Sequence, residues 1–169
     1  MIGMPQHRLN LCEEHYDAWV LKTVQRAIDE HRMFTREERV LVAVSGGKDS
    51  LALWDILERL GYQTEGVYIH LGIAHEGYSD VSQATVETFA AQHGLSCQVV
   101  NVGALYGRTI PELRSTGRGK HTCAVCGLVK RHVMNRVAWE GGYAAIATGH
   151  QVDDEAAILL QNTLHWQSG

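Results

Sequence analysis

A short segment, SGGKDS at residues 45–50, has the clearest chemical character in this sequence. It follows an unbroken apolar run at residues 40–44, typical of a strand covered on both faces, and it precedes a segment with helical periodicity. Its glycines let the backbone turn sharply and approach an anion, and the following helix N-terminus offers free N–H groups. Lys48 adds a positive charge, while Asp49 is suited to orienting the loop or binding Mg²⁺. The pattern predicts a polyphosphate-binding loop, although it matches neither the Walker loop nor the dinucleotide-binding motif.

A second candidate loop, TGHQVDDE, lies at residues 148–155. Thr148 and Gly149 follow another predicted strand, so we expect them to form a backbone surface near the bound nucleotide. The acidic residues at 153–155 begin the next predicted helix. Acids in a first helical turn commonly interact with the helix dipole, and by themselves they indicate no catalytic role.

Two cysteines, Cys123 and Cys126, are spaced so that their thiolates can share one metal ion or cluster. They open a predicted helix within a basic stretch, and both the helix N-terminus and the nearby cations would lower their pKa. Three interpretations are open from the residues alone: iron–sulfur ligation, half of a zinc site, and a redox-active dithiol. Ordinary buried thiols are a fourth, because the spacing is only moderately specific.

The charge of the chain is unevenly distributed. The 169 residues have a formal net charge of −4, which by itself predicts no nucleic-acid partner. Residues 108–136, however, contain seven basic residues against one acid, Glu112, so we expect this stretch to attract phosphate groups. The basic residues are Arg108, Arg114, Arg118, Lys120, Lys130, Arg131 and Arg136.

Length and composition indicate one globular domain. Hydrophobic residues make up 45% and charged residues 20%, which argues against a disordered, collagen-like or membrane protein. The apolar stretches are far shorter than the roughly 18–20 residues of a membrane span, and the N-terminus lacks the apolar core of a signal peptide. We therefore expect a cytoplasmic protein with no membrane partner.

Strand and helix signals alternate along the chain. Apolar runs predict strands at residues 40–44, 66–71, 97–102 and 143–147, and helical patterns predict helices at residues 17–33, 51–60, 79–93, 125–140 and 153–164. This alternation predicts an α/β fold with a doubly wound, mostly parallel sheet, whose ligands bind beyond the carboxyl ends of the strands. Trp19, Trp54 and Trp139 lie on predicted helices, and we expect all three in the core.

The strings SGGKDSLALWDIL, CAVCGLVKRH and ATGHQVDDEA, in this order, resemble the TtuA family of tRNA 2-thiolation enzymes and their eukaryotic cytosolic thiouridylase relatives. The first string is also similar to the pyrophosphate loop of N-type ATP pyrophosphatases, the PP-loop superfamily. Cytidine thiolases of the TtcA type share the loop and a C-x-x-C, but the CGLxKR continuation favours the TtuA side. The resemblance covers about residues 11–162 and implies an adenine-nucleotide alpha-hydrolase-like (HUP) topology.

The resemblance also implies an ATP-dependent sulfurtransferase. Family members adenylate the carbon-2 oxygen of a tRNA uridine and replace that oxygen by sulfur. The implied cofactors are ATP, Mg²⁺ and an oxygen-sensitive 4Fe-4S cluster. The implied partners are tRNA, a ubiquitin-like sulfur-carrier protein and a second copy of the chain in a homodimer.

The resemblance also implies a role for individual residues, by matching each position of the three strings to the family's motifs. Cys123 and Cys126 match two of three cluster cysteines, and three ligands leave one iron open to hold sulfide. The catalytic residues matched are Lys48, Lys130 and Asp154. The nucleotide contacts matched are Ala43, Ser45, Gly46, Gly47, Lys48, Asp49, Ser50, Ile69, Lys130, Gly149 and Asp154.

The sequence departs from the family pattern near both ends. The third cluster cysteine and a C-terminal zinc module lie, in the family, beyond residue 169, so we expect a chain shortened at its C-terminus, with reduced activity or none. Cys12 and His15 match the second half of an N-terminal zinc finger, but residues 1–11 contain no cysteine. We expect residues 1–35 to form an N-terminal segment with a zinc-finger remnant and a helix, and residues 36–169 to form an incomplete PP-loop domain.

Two alternatives remain at this point. One is another PP-loop ATP pyrophosphatase of the amide or lysidine synthetase type, which would need no C-x-x-C. The other is a zinc-stabilised nucleotide- or RNA-binding module without catalysis, in which one metal site is formed by Cys12, His15, Cys123 and Cys126.

Overall fold

The computed structural model describes residues 1–73, 77–115 and 122–164, with side chains described except at positions 6, 113–115 and 122–124. The chain begins with a hairpin in which β1 (Ile2–Met4) pairs antiparallel with β2 (Leu9–Leu11), joined by a 3-10 turn. Helix α1 (Glu13–His31) follows, and the His7 and Trp19 rings lie 4.9 Å apart. No hairpin was predicted in this region, because three-residue strands give little periodic signal.

Four parallel strands form the central sheet, in the order β5-β4-β3-β6. They are β3 (Arg39–Val44), β4 (Gln63–His70), β5 (Cys97–Asn101) and β6 (Ala145–Thr148). Val40, Leu41 and Val42 in β3 are fully buried because helices cover both faces of the sheet. The predicted α/β fold with a parallel, doubly wound sheet is confirmed.

The main helices also match the prediction, with shifted ends. They are α2 (Lys48–Arg59), α3 (Tyr78–His93), α6 (Thr122–Gly141) and α7 (Val152–Leu164). Two short helices, α4 (Val102–Tyr106) and α5 (Ile110–Ser115), occupy part of the stretch for which no helix was predicted. The Asn101 side chain accepts a hydrogen bond from the Ala104 N–H, which caps α4.

The core has two layers, one on each side of the sheet. On the α1–α2–α3 side, Ile28, Trp54 and Val86 pack together. On the α6 side, Leu41 and Val67 pack against Ala138. The expectation of a core position is confirmed for Trp54, which is fully buried and donates from its indole nitrogen to Thr64 Oγ1 at 3.0 Å.

The core prediction for Trp139 is wrong, and Trp19 is only partly buried. The Trp139 side chain is 88% exposed, although its neighbour Ala138 is buried. Trp139 lies nine residues, or two and a half turns, after Lys130, so it points away from the sheet-facing side of α6. A helix assignment from periodicity does not say which side of a weakly amphipathic helix meets the sheet.

Helix α7 lies exposed along its whole length. Its apolar side chains Ile158, Leu159, Leu160 and Leu164 are between 50% and 69% exposed. Within the described ranges, no helix combines the length and hydropathy that crossing a bilayer requires.

Candidate active site

The SGGKDS segment forms a tight turn between β3 and α2, stabilised by its own serines. The Ser45 N–H donates to Ser50 Oγ at 3.1 Å, and Ser50 Oγ donates to the Gly47 carbonyl at 2.9 Å. Ser45 Oγ in turn accepts from the Gly47 N–H at 3.3 Å. These bonds hold the turn at the N-terminus of α2, where free N–H groups favour an anion.

Gly46 is required at its position in this turn. Its φ of +79° is in the left-handed region, which glycine adopts without a steric penalty. A Cβ at this position would also lie 2.8 Å from the Ser82 carbonyl oxygen on α3. The turn is therefore packed against α3, and any side chain here would displace it.

A second close approach brings the loop after β6 onto the same turn. A Cβ built on Gly149 would lie 2.8 Å from both the nitrogen and the Cα of Ser50. Only glycine allows the two backbones to meet in this way, and the contact joins residues far apart in the sequence. The predicted phosphate loop and the predicted second loop thus form one surface.

These two loops open onto a pocket with a volume of about 210 Å³ at the carboxyl end of the sheet. The apolar floor includes Val67 and Leu71, and Met134 from α6 lines one wall. Eight of the residues matched for nucleotide binding line this pocket: Ala43, Ser45, Gly47, Asp49, Ser50, Ile69, Lys130 and Gly149. The pocket therefore combines an apolar surface for a base with polar groups for phosphates.

Three other predicted residues do not line the pocket: Gly46, Lys48 and Asp154. The Lys48 side chain is 82% exposed and donates to both carboxylate oxygens of Asp49, at 2.8 and 3.0 Å. Asp154 is exposed in the first turn of α7, where its N–H donates to the Gln151 carbonyl at 3.1 Å. The Lys48 ammonium group is therefore paired with Asp49 and does not line the pocket.

Gln151 is a site residue that the sequence reasoning missed. Its side-chain nitrogen donates to Asp49 Oδ2 at 3.1 Å, which ties the second loop to the phosphate loop. The bond from Lys48, together with the weaker one from Gln151, lowers the pKa of Asp49 below its ordinary value. The position of Gln151 inside the second loop was the available signal.

The start of α3 supplies a further wall of the pocket that was not predicted. Tyr68 in β4 donates from its hydroxyl to the Ser79 carbonyl at 2.7 Å, and burial raises the pKa of this tyrosine. Ser79 Oγ accepts from the Ile73 N–H at 3.0 Å, so the loop after β4 is tied to α3. Tyr78 then lies at the pocket wall with 55% of its side chain exposed.

Cys126 lies next to this pocket. It is half-buried against the apolar cluster of Leu71, Val102 and Ile110, and Leu71 also lines the pocket. Lys130 follows Cys126 by one helical turn, which is about 6 Å along the axis. Cys123 belongs to α6, but its side chain is outside the described set.

The other cysteines lie elsewhere. Cys97 packs against the core on the α2–α3 side, and burial raises its pKa to about 11.

Cys12 is exposed, with Sγ 2.9 Å from Nδ1 of His15, and hydrogen bonds from His15 lower the pKa of this thiol. Among the described side chains, no third metal-ligating group joins this pair. Two donors do not fit a tetrahedral zinc site.

A different group of possible ligands was not predicted. Asp55, Glu58 and His93 place their ligand atoms within 4.8 Å of one another near the ends of α2 and α3. Asp55 also pairs with Arg59 at 3.4 Å and with His93 at 3.8 Å, so side chains of this chain already engage the carboxylate.

The basic stretch is described in part. Lys130, Arg131 and Arg136 lie on α6, and Arg108 is exposed before α5. Arg118 and Lys120 are outside the described residues, as is the side chain of Arg114.

A glycine- and serine-built phosphate loop between a buried parallel strand and a helix, facing a pocket at the carboxyl end of the sheet, defines a nucleotide-binding α/β domain. A protein-family model described as the PP-loop domain matches residues 20–165, and the chain belongs to this family.

Curated relatives narrow the comparison. The chain is 50% identical over 166 residues to tRNA-5-methyluridine(54) 2-sulfurtransferase of Thermus thermophilus, covering 98% of this chain and 51% of the relative. It is 40% identical over 161 residues to the protein of that name from Pyrococcus horikoshii, covering 95% of this chain and 50% of that relative. Cytoplasmic tRNA 2-thiolation protein 1 of Saccharomyces cerevisiae is 32% identical to it over 168 residues, covering 97% of this chain and 47% of that relative. The predicted resemblance to the TtuA family is confirmed, and the chain spans about half the length of the curated relatives it matches.

Solved structures agree on the fold. The U34-tRNA thiolase NcsA from Methanococcus maripaludis, with its [4Fe-4S] cluster, superimposes with a TM-score of 0.83 at 22% identity, covering 98% of this chain and 56% of that one. The NH3-dependent NAD synthetase from Campylobacter jejuni matches with a TM-score of 0.56 at 10% identity, covering 82% of this chain and 57% of that one.

Proposed function

We propose that this chain is the nucleotide-binding part of an ATP-dependent tRNA 2-sulfurtransferase. In the proposed reaction, the carbon-2 oxygen of a tRNA uridine attacks the α-phosphorus of ATP, the bond from that phosphorus to the bridging oxygen breaks, and pyrophosphate leaves. Sulfur then bonds to carbon 2, the carbon–oxygen bond breaks, and AMP leaves. The names of the relatives support this reaction class.

The single observation that supports the proposal most is the meeting of the two loops in one pocket. Ser45, Ser50 and Gly149 line a cavity that Lys130 also lines from α6. Backbone N–H groups at the start of α2 would hold the β- and γ-phosphates as they become the leaving pyrophosphate. Lys130 would face the α-phosphate, where negative charge develops as uridine attacks.

Asp49 and Lys48 have complementary tasks in this proposal. In the structure the two side chains neutralise each other. When ATP enters, Lys48 would turn to the leaving phosphates, and the freed Asp49 carboxylate is a suitable oxygen ligand for Mg²⁺. Gln151 would keep that carboxylate beside the pocket. Asp154 stays a predicted catalytic residue, in the first turn of α7.

The described donor set fits an iron–sulfur cluster only in part. Cys126 lies in a half-buried apolar setting beside the pocket, as an oxygen-sensitive cofactor requires, and Cys123 precedes it by one turn. Cys12 and Cys97 lie in other parts of the fold, so the third expected thiolate does not come from them. A cluster held at Cys123 and Cys126 would hold the sulfide that a sulfur carrier delivers. The resemblance is what supports this part of the proposal.

The partners follow from the same proposal. The substrate is a tRNA, and the resemblance favours a ubiquitin-like sulfur carrier, a homodimeric assembly and a cytoplasmic location. A resident zinc ion at Cys12 and His15 is not proposed, because the described donors are too few. The likeness to an NAD synthetase is one of fold alone and gives no reason to prefer the amide synthetase alternative.

The test is calorimetry and product analysis on the whole chain under anaerobic conditions. We expect Mg·ATP to bind with measurable heat, unmodified tRNA to induce release of pyrophosphate, and AMP to be released once sulfide is also added. Lys48→Met should weaken nucleotide binding, whereas Lys22→Met, an exposed lysine on α1, serves as the charge-matched control. A folded chain that binds no Mg·ATP would overturn the proposal.

A further inference from the structure

The outward side of α6 has an unusual composition for a solvent-facing surface. Its exposed residues include Leu128 and Trp139, which are 64% and 88% exposed, together with Arg131, His132 and Arg136. We call these five residues the α6 outer face. Large apolar side chains exposed together and bordered by polar residues are a common mark of an interaction surface.

The five residues form one continuous surface. They fall on one side of the helix at spacings of three, four and seven residues, and Leu128 and Trp139 are about 16 Å apart along the axis. Tyr106 from α4 extends the surface, with its ring 6.2 Å from the His132 ring and 42% of its side chain exposed. Aromatic rings and cations therefore alternate along a single face.

The charge of the surface is positive in an acidic chain. Arg131 and Arg136 are both exposed, and the one acid of this helix, Glu140, accepts from Arg136 Nε at 2.8 Å. Ion pairs at an exposed surface contribute little, so Arg136 can exchange this partner for a phosphate. A purely apolar partner would leave these cations unpaired, whereas a nucleic-acid backbone pairs them.

We propose that the α6 outer face binds the substrate RNA, with Trp139 stacked on an unpaired base and Arg131 and Arg136 on neighbouring phosphates. Stacking of unpaired bases on aromatic side chains is the usual means by which proteins hold single-stranded RNA. Trp139 lies about 14 Å along the helix from Lys130, so this contact is made at a distance from the reacting uridine. This inference rests on the proposed tRNA substrate.

The test is fluorescence anisotropy of an in-vitro-transcribed, fluorescein-labelled tRNA with the whole chain. Trp139→Ala should weaken binding roughly 5- to 150-fold, the range for losing one stacked base, and Trp139→Phe should restore most of it. Arg131→Ala with Arg136→Ala should lower the slope of log affinity against log salt by roughly 0.7–0.9 for each residue. Mg·ATP binding should be unchanged in all three.

Matched controls come from other exposed surfaces. Val81 on α3 is 62% exposed, and Arg26 lies exposed on α1. Val81→Ala and Arg26→Ala should leave tRNA affinity and its salt slope unchanged. As an independent signal, tRNA should quench indole fluorescence in the wild type, and Trp139→Phe should remove that quenching.

The outcomes separate this inference from the proposed function. Equal tRNA affinity of wild type and Trp139→Ala, or no affinity in the wild type, would overturn the α6 outer face as an RNA surface. Self-association of the chain that Trp139→Ala abolishes would overturn it in favour of a protein interface. If Trp139→Ala weakens tRNA binding but the wild type releases no pyrophosphate with Mg·ATP and tRNA, the surface stands and the proposed reaction fails.

Discussion

Gly149 and Ser50 are in direct backbone contact, although they are 99 positions apart in the chain. The contact is so close that a Cβ on Gly149 would lie 2.8 Å from the Ser50 nitrogen. That nitrogen belongs to the first turn of α2, the proposed phosphate-binding end of this helix. The contact therefore sets the distance between the two loops that line the pocket.

Gly149→Ala should push these loops apart. We expect Mg·ATP affinity to fall about 10-fold or more, and the free energy of unfolding to fall by about 1–3 kcal/mol, as for other overpacked sites. Calorimetry and urea unfolding measure the two effects. Gly127→Ala is the control, because a Cβ there meets only the flexible end of Arg131, at 3.4 Å. Unchanged affinity in Gly149→Ala would contradict the importance of the contact.

Lys130 is the described lysine that lines the pocket. Lys130→Met keeps much of the side-chain volume and removes the charge proposed to face the α-phosphate. We expect tRNA-dependent pyrophosphate release to fall about 100-fold, the usual effect of removing one group that stabilises developing charge. Thermal unfolding should change little. Steady-state kinetics, with Lys22→Met alongside, measure the loss, and a normal rate in Lys130→Met would exclude the proposed role.

The carboxylate of Asp49 should titrate below its ordinary pKa of 3.8. Because the Lys48 bond is the largest cause, the ion pair is intact above the lowered pKa and is lost as pH falls through it. Lys48→Met should move the Asp49 pKa most of the way back to 3.8, and Gln151→Ala only part of the way. Carbon-detected NMR of the side-chain carboxyl between about pH 2 and 6 measures these shifts. The assignment fails if the Asp49 pKa is the same in all three proteins.

Cys12 and Cys97 should react with iodoacetamide at very different rates. The thiolate is the reactive form, and the pKa of Cys12 is lowered by His15 while burial raises the pKa of Cys97 to about 11. At about pH 8, in the presence of a chelator, Cys12 should therefore be modified first. His15→Ala should slow its reaction only in part, because the His15 backbone makes the larger contribution and remains. Peptide mass spectrometry reads both sites, and faster labelling of Cys97 would refute the assignment.

Gly66 leaves the space that Trp54 fills. A Cβ at Gly66 would lie 2.4 Å from Trp54 Cη2, and Trp54 is fully buried. Gly66→Ala should lower the free energy of unfolding by at least about 1–3 kcal/mol. In a double-mutant cycle, Trp54→Phe should relieve part of that loss, because the smaller ring withdraws from the added methyl group. Strict additivity of the two changes would disprove direct packing.

Much of the fold was predictable because its signals are local. Residues 40–44 are apolar without interruption, and in the structure β3 is covered on both faces. The helix predicted at residues 79–93 ends in the structure at His93, where Gly94 follows with a left-handed φ of +65°. The short β1–β2 hairpin and the helices α4 and α5 were missed, because elements of three to six residues carry too little periodicity.

The sequence by itself determined which residue types form the turn between β3 and α2. The glycines and serines of residues 45–50 are adjacent in the chain, so their suitability for binding phosphate can be read from their order. The junction of strand and helix at this segment follows from the apolar run before it and the helical periodicity after it. For the same reason the resemblance to the TtuA family was recognisable from three short strings.

Only the tertiary structure decided which of these residues meet. The contact of Gly149 with Ser50, the bond from Gln151 to Asp49 and the position of Lys130 in the pocket depend on how β6 and α6 pack beside β3. The structure also turned Trp139 outward and left Lys48 paired with Asp49. Distances between residues remote in sequence, and the direction that a helix face takes, are set by packing of the whole domain, which local patterns do not specify.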